Sequence, residues 1–164
     1  MKINDKVFEI YPDNVSAELI AHTRHVTALT PEGLSAACMK DVDPDFAKKM
    51  ADGKIMVAGK NFGCNSSREW APQALLYSGV KLLIAEGFSR IFFRNAINVG
   101  LPILECQEIT KLVKAGDELE ADLATGTIVN KTTGKTAKGT VLPQFLLNIM
   151  TTGGLLETLK AERQ

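Results

Sequence analysis

The chain has 164 residues, 45% of them hydrophobic and 23% charged, with 19 Lys and Arg residues balancing 19 Asp and Glu residues. This length predicts a single domain over residues 1–164, and this apolar content excludes a disordered chain. A net charge of zero argues against a general nucleic-acid coat, which needs a cationic surface.

The cysteines and the N-terminus indicate where the protein works. No signal peptide or membrane-spanning segment is expected from the sequence. Cys38, Cys64 and Cys106 are odd in number and far apart, which favours a reducing, cytoplasmic compartment over a disulfide framework. The same spacing disfavours an iron–sulfur cluster or another metal site on this chain.

The first third of the chain predicts a strand followed by short helices. Residues 6–10 alternate as a strand, and residues 15–20 fit either a second short strand or a turn of helix. Residues 22–30 are polar and predict an exposed loop. Pro31 then begins a helix with Thr30 as its N-cap, and a further short helix follows residues 43–45.

The middle third alternates between strands and helices. Strands are predicted over 54–58, 80–85 and 103–106, and helices over 67–77 and 89–99. This order predicts βαβ units and a parallel sheet covered on both faces, in the α/β class. Phe88, Ile91, Phe92 and Ile97 have helical spacing and are predicted to face the core.

The last third changes character. Residues 119–141 are rich in Thr, Gly and Lys, which predicts β-hairpins at the surface. Two short terminal helices over 143–150 and 155–162 are separated by Gly153 and Gly154.

The candidate chemistry lies in residues 59–72, between a predicted strand and a predicted helix. Open α/β sheets bind ligands at this position, and helix-start amides favour anions. Arg68 adds donors that match a carboxylate or a phosphate, and Ser66 and Ser67 add hydroxyls. The segment is therefore a candidate site for a small acid.

An ordinary structural role competes with this interpretation. Ser66 and Glu69 have the spacing of a capping box, and Gly63 and Asn65 fit a tight turn. Pro72 requires either a distorted first turn or a helix that begins nearer Ala71. The sequence leaves both roles open for Ser66.

Other catalytic arrangements are disfavoured. The loop lacks the Gly-Lys-Ser/Thr of a Walker phosphate loop, and no Gly-x-Ser-x-Gly elbow is present. His22 and His25 are interpreted as solvated loop residues rather than metal ligands, because no further ligand has a recognised spacing. Cys64 fits either a thiol activated by a helix start or a small buried residue.

Residues 59–69 (GKNFGCNSSRE) and 84–102 (IAEGFSRIFFRNAINVGLP) resemble the swivelling domain of the aconitase superfamily. They are most similar to the separate small subunits of isopropylmalate dehydratase and homoaconitase. The resemblance implies a swivelling β/β/α domain with a parallel βαβ core and a C-terminal β-hairpin region. It also implies a large-subunit partner that carries a [4Fe–4S] cluster, so that no cofactor is expected on this chain.

The resemblance further implies a reaction and roles for individual residues. The reaction is the reversible dehydration and rehydration of a hydroxy acid, of the 3-isopropylmalate dehydratase type used in leucine biosynthesis. Ser66 would be the catalytic base, while Ser67, Arg68, Arg24 and Glu18 would bind substrate. The specificity loop would consist of His25, Val26, Thr27 and Ala28.

Two segments depart from the family pattern. The usual Asp-Thr-Asp-Val-Ile corresponds here to Ser16, Ala17, Glu18, Leu19 and Ile20. The usual Arg-Tyr-Leu loop corresponds to residues 24–28 (RHVTA), and Trp70 stands where His is usual. His25 and Thr27 would favour a more polar substrate side group than an isopropyl pocket does.

Three functions therefore remain open. The leading hypothesis is the small subunit of a heteromeric iron–sulfur hydro-lyase. The second hypothesis is a small subunit with the same architecture whose enzyme acts on homoaconitate, methylated malates or citrate-like acids. The third is a stand-alone module that binds a small anion, and the isolated chain could form a homo-oligomer. The sequence does not identify the substrate or the stoichiometry.

Overall fold

A computed structural model describes residues 1–163, which contain one seven-stranded sheet. The strands are β1 (Lys2–Tyr11), β2 (Lys54–Ala58), β3 (Val80–Ala85), β4 (Ile103–Glu105), β5 (Glu118–Asp122), β6 (Thr127–Asn130) and β7 (Thr136–Lys138). Their order across the sheet is β4-β3-β2-β1-β5-β6-β7. The mixed α/β fold predicted from the sequence is confirmed.

Strand β1 unites the two halves of the sheet. Its first part, residues 2–6, pairs antiparallel with β5, whereas Val7, Ile10 and Tyr11 pair parallel with β2. A register shift between Val7 and Ile10 interrupts the parallel pairing. Strands β5, β6 and β7 then pair antiparallel in turn. The segment expected to form surface hairpins therefore extends the main sheet.

The helices are α1 (Ala17–Ile20), α2 (Pro31–Ala37), α3 (Phe46–Met50), α4 (Trp70–Tyr77), α5 (Arg90–Asn98), α6 (Ile109–Leu112), α7 (Gln144–Thr151) and α8 (Leu155–Glu162). The Thr30 hydroxyl accepts from the Gly33 amide, so the predicted N-cap of α2 is present. None of these helices within residues 1–163 is long and apolar enough to cross a membrane.

The centre of the sheet is buried on both faces. Residues 55–58 and 82–85 are fully buried. Because successive strand residues point to opposite faces, their burial requires cover on both sides. Strands β1, β2 and β3 are parallel to one another, so the segments after Tyr11, Ala58 and Ala85 leave the sheet at the same edge.

Three details differ from the sequence prediction. Helix α4 begins at Trp70, three residues later than predicted, and the short helix α6 was not predicted. Ile91 was predicted to lie in the core, but it is 50% exposed, whereas Phe92 and Ile97 on the same helix are buried. Ile91 lies in the first turn of α5 and lines an open depression on the surface.

Candidate active site

The loop after β2 is held from two sides at the edge of the sheet. On one side the Gly63 amide donates to the Val15 carbonyl at 2.7 Å. On the other side the Phe62 amide donates to the Gly87 carbonyl at 2.9 Å, and the Ser89 amide donates to the Phe62 carbonyl at 2.9 Å. Segments far apart in sequence therefore fix the backbone that leads to Ser66.

Glycine is required at position 63 of this loop. Gly63 has φ +77°, and a Cβ atom there would lie 2.1 Å from Cγ of Phe92 in α5. Its carbonyl also accepts from the Ser89 hydroxyl, which is the N-cap of α5, at 2.8 Å. The loop thus lies directly against the start of α5, and any side chain at this position would separate them.

Ser66 does not cap a helix. Its Oγ accepts from the Arg68 amide at 3.2 Å, and α4 begins only at Trp70, with Glu69 at the N-cap position and no side-chain cap bond. Pro72 explains the late start, because it has no N–H and is tolerated within the first turn, where amides have no intrahelical partner. The capping box between Ser66 and Glu69 is therefore not formed. Helix α4 begins at Trp70, next to Ala71, the later of the two starts that the sequence allowed.

Ser66 lies beside an open depression of about 590 Å³. This volume is in the range of small-molecule sites. The lining combines polar groups with two apolar side chains and is formed by Asn61, Asn65, Ser66, Phe88, Ser89, Arg90 and Ile91. Arg90 makes no salt bridge within residues 1–163, so its charge is available to an anion. The structure thus adds Arg90 as a candidate anion-binding residue beside Ser66.

Arg68 belongs to a second group of side chains. Its guanidinium lies over the ring of Trp70, with Cζ 5.6 Å from the ring centroid. Nη1 is 3.9 Å from the Glu18 carboxylate, whose Oε1 is also 3.5 Å from Nε2 of His22. Glu18 and Arg68, two of the residues to which the resemblance assigns substrate binding, therefore lie side by side.

Two buried donors in this group lack partners. Nη1 of Arg68 and Nε1 of Trp70 have no hydrogen-bond acceptor among the residues that the structure describes. A buried donor without an acceptor costs about 1–3 kcal/mol, so such groups require an explanation. An anion placed near Glu18 and Arg68 would supply the missing acceptor for the guanidinium.

The predicted specificity loop forms a third group. Arg24 Nη2 and His25 Nε2 each lie 2.6 Å from the same oxygen of Asp41, in the turn after α2. Val26 packs partly against the core, while Thr27 and Ala28 are exposed. Asp41 was missed by the sequence analysis, because an acidic residue in a polar turn carries no recognisable signal.

Ser67 lies apart from these contacts. Its side chain is exposed, and its carbonyl accepts from Nδ2 of Asn95 in α5 at 3.3 Å. The other predicted residues thus fall into three groups rather than one closed pocket. A larger groove of about 660 Å³ runs between α7 and α8, but it contains none of the predicted site residues.

The cysteines do not fit a metal cluster. Cys38, Cys64 and Cys106 are buried, free thiols, and no group of three or more metal-ligating side chains occurs within residues 1–163. Burial raises the pKa of Cys38 to about 12 and also raises the pKa of Cys106. Because iron–sulfur clusters bind thiolates, these residues are poorly suited to hold one.

Comparison with known proteins gives a consistent result. Residues 21–108 match the family described as the aconitase C-terminal domain. The chain is 49% identical to the 3-isopropylmalate dehydratase small subunit of Caldicellulosiruptor bescii, over 93% of this chain and 92% of the relative. It is 50% identical to the isopropylmalate/citramalate isomerase small subunit of Methanocaldococcus jannaschii, over 92% and 89%.

A solved structure agrees with these relatives. The crystal structure of 3-isopropylmalate dehydratase from Methanocaldococcus jannaschii superposes with a TM-score of 0.90 at 38% identity. The match covers 99% of this chain and 96% of that chain. The resemblance inferred from residues 59–69 and 84–102 therefore extends over the whole chain.

Proposed function

The chain belongs to the family of aconitase C-terminal domains, and we propose that it is the small subunit of a two-subunit hydro-lyase of the 3-isopropylmalate dehydratase type. The observation that carries this proposal is the length of the similarity. Two relatives named as small subunits match over at least nine-tenths of this chain, at 49% and 50% identity. We assign the enzyme to leucine biosynthesis in the cytoplasm, where free thiols such as these persist.

We assign proton transfer to Ser66. Dehydration of a hydroxy acid needs a base that takes a proton from carbon, while the electron pair forms the double bond and hydroxide leaves the neighbouring carbon. The Arg68 amide already donates to Ser66 Oγ, and such a donor stabilises negative charge on the oxygen. Because Ser66 lies beside the open depression, its oxygen can approach a bound substrate.

We assign substrate binding to Arg68, Glu18, Arg24 and Ser67. The guanidinium of Arg68 has a free buried donor, and the ring of Trp70 restricts its orientation. A carboxylate that accepts from this donor would make a charge-assisted hydrogen bond. Glu18, whose Oε1 lies 3.9 Å from the same nitrogen, would accept from a substrate hydroxyl.

The electrophile for the leaving hydroxide belongs to the partner in this proposal. The buried thiols here do not fit a [4Fe–4S] cluster, so we assign that cluster to the large subunit. The depression beside Ser66 is open on one side, and we propose that the large subunit covers it. Closure would exclude water and strengthen the electrostatic contacts of the polar groups that line the depression, Ser66 and Arg90 among them.

The experiment is reconstitution with a cluster-bearing large subunit under anaerobic conditions. We expect the isolated chain to be folded, colourless and inactive, and the pair to convert 3-isopropylmalate through an unsaturated acid detected by its ultraviolet absorbance. An isolated chain that assembles a stoichiometric cluster and turns over substrate would refute the division of roles. A chain that binds anions but never associates with a large subunit would favour the stand-alone module.

The substrate is tested in the same assay. The Methanocaldococcus jannaschii relative is named for both isopropylmalate and citramalate, which differ in the size of the alkyl group. We propose 3-isopropylmalate as the first substrate, because relatives that match over most of this chain are named for it. His25 and Thr27 make the loop more polar than an isopropyl pocket requires, so we propose as the second substrate a methylated malate such as citramalate, which has a smaller apolar group. Homoaconitate is measured beside them.

A further inference from the structure

Asp41 makes the side-chain contacts that hold the start of the specificity loop. One carboxylate oxygen, Oδ1, lies 2.6 Å from Arg24 Nη2 and 2.6 Å from His25 Nε2. Nε of Arg24 lies 3.2 Å from the same ring nitrogen of His25. Two consecutive side chains, Arg24 and His25, therefore converge on one oxygen atom of Asp41.

The backbone brings Asp41 to this position independently of the contact. The Met39 amide donates to the Ile20 carbonyl at 2.7 Å, which places the turn after α2 beside the end of α1. The loop itself has few other restraints at this end. The His25 amide donates to the His22 carbonyl at 2.9 Å, and the Val26 amide donates to the Thr23 carbonyl at 3.2 Å.

The contact is charged over the whole range in which the protein works. Hydrogen bonds from His25 and Arg24 hold the pKa of Asp41 at about 2, below its ordinary value. The stabilising effect of a carboxylate with a lowered pKa is present above its ordinary pKa and is lost as the pH falls towards the lowered value. Asp41 therefore remains an anionic acceptor at any pH used to assay the enzyme.

The contact also determines what Arg24 can do. The Arg24 side chain is 61% exposed, and its polar contacts within residues 1–163 are those with Asp41 and His25. Arg24 donates through Nη2 to Asp41, whereas its Nε only lies near His25 Nε2, which cannot accept from it while it donates to Asp41. The contact with Asp41 restricts the orientation of the planar guanidinium and leaves its other donors for a carboxylate ligand.

We propose that Asp41 is a positioning residue that holds Arg24 and His25 in place, and so determines which substrate side group the loop accepts. The role in substrate choice rests on the proposed function, whereas the anchoring of Arg24 and His25 concerns the free chain alone. Asp41 contacts no substrate in this proposal. It acts only through the two loop residues that it orients.

Limited trypsin digestion of the free chain tests the anchoring. Trypsin takes an arginine side chain into an acidic pocket, so it competes with Asp41 for Arg24. Cleavage of a transiently opened loop follows the population of the open form. For Asp41→Asn we expect cleavage after Arg24 to be about threefold to tenfold faster, the scale set by two exposed ionic contacts. Mass spectrometry identifies the fragment 1–24.

A matched control lies two residues along the chain. Asp43 accepts from Lys49 rather than from the loop, so Asp43→Asn removes a similar charge without touching Arg24. We expect this variant to be cleaved after Arg24 at the parental rate. For Asp41→Glu we expect a cleavage rate between those of the parent and Asp41→Asn. If Asp41→Asn and the parent are cleaved equally fast, the anchoring is refuted, whatever the enzyme's substrate.

Substrate competition in the reconstituted pair of subunits tests whether Asp41 affects the choice of substrate. The parental pair is assayed first, so that failure of the proposed function is seen on its own. We expect Asp41→Asn to change the ratio of kcat/KM for 3-isopropylmalate and citramalate by at least about threefold, mainly through KM, with kcat within about twofold. A variant with faster cleavage but an unchanged ratio would refute the role in specificity and leave the anchoring intact.

Discussion

Replacement of Ser66 by Ala separates a catalytic hydroxyl from a structural one. The hydroxyl is half-buried and makes one hydrogen bond, accepted from the Arg68 amide at 3.2 Å. The net contribution of such a bond is about 0.5–1.5 kcal/mol, which lowers Tm by about 1–6 °C in a chain of this size. Loss of a general base lowers kcat by about two to four orders of magnitude, or about 3–5 kcal/mol of activation free energy.

The two effects are measured on the same preparation. Tm is recorded on the isolated chain, and kcat is recorded in the pair with the large subunit under saturating substrate. Ser35→Ala is the matched control, because it also removes a half-buried hydroxyl with one weak contact, 3.4 Å from Ser78, in a different part of the fold. A Ser66→Ala pair that keeps kcat within about threefold of the parent would exclude Ser66 as the base.

Four further outcomes are expected. Gly63→Ala should lower the free energy of unfolding by about 2–4 kcal/mol in a denaturant titration, because it adds a clash with α5 to the strain of φ +77°. Gly134 is the control, because it has a similar φ of +74° but no atom within 4 Å of an added Cβ. Gly134→Ala should therefore lower the free energy of unfolding by only about 1–2 kcal/mol. Arg68→Lys should raise KM by about tenfold or more with little change in kcat, because the charge remains but the fork of donors is lost. Trp70→Leu should raise KM, whereas Trp70→Phe should keep KM near the parental value, because phenylalanine retains an aromatic ring facing the guanidinium. The fluorescence of Trp70, the single tryptophan, should differ between the parent and Arg68→Met. Cys38, with a pKa of about 12, should resist alkylation at pH 8 until denaturant is added, and labelling of the native chain at this residue would contradict its burial.

The parallel core was predictable because its signal is local. Residues 54–58 and 80–85 are almost continuously apolar, and each segment is a strand with those same bounds in the structure. The position of residues 119–141 in the sheet could not be predicted from those residues alone. Their place in the sheet depends on β1, which is long enough to pair with β2 at one end and with β5 at the other. No periodicity within 119–141 reveals that partner.

The sequence named candidate residues for the site but not their arrangement. The motif around Ser66 indicated a site for a small acid, and the resemblance implied roles for Arg68 and Glu18. The contact between those two side chains, at 3.9 Å, arises because α1 lies next to the loop after β2, where the Ala17 amide donates to the Cys64 carbonyl. Contacts between segments nearly 50 residues apart cannot be read from spacing along the chain.

The late start of α4 links the fold to the chemistry proposed for Ser66. If the helix began at Ser67, the Ser66 hydroxyl would be committed to the free amides of the first turn. Pro72 cannot donate to the Arg68 carbonyl, so the first intrahelical bond is that of the Gln73 amide to Glu69. Residues 66–69 consequently remain outside the helix, and the only hydrogen bond that Ser66 Oγ accepts within residues 1–163 comes from the Arg68 amide. A proline inside the first turn of α4 thus leaves the hydroxyl beside the depression with a single donor, the Arg68 amide, so that it can also contact a bound substrate.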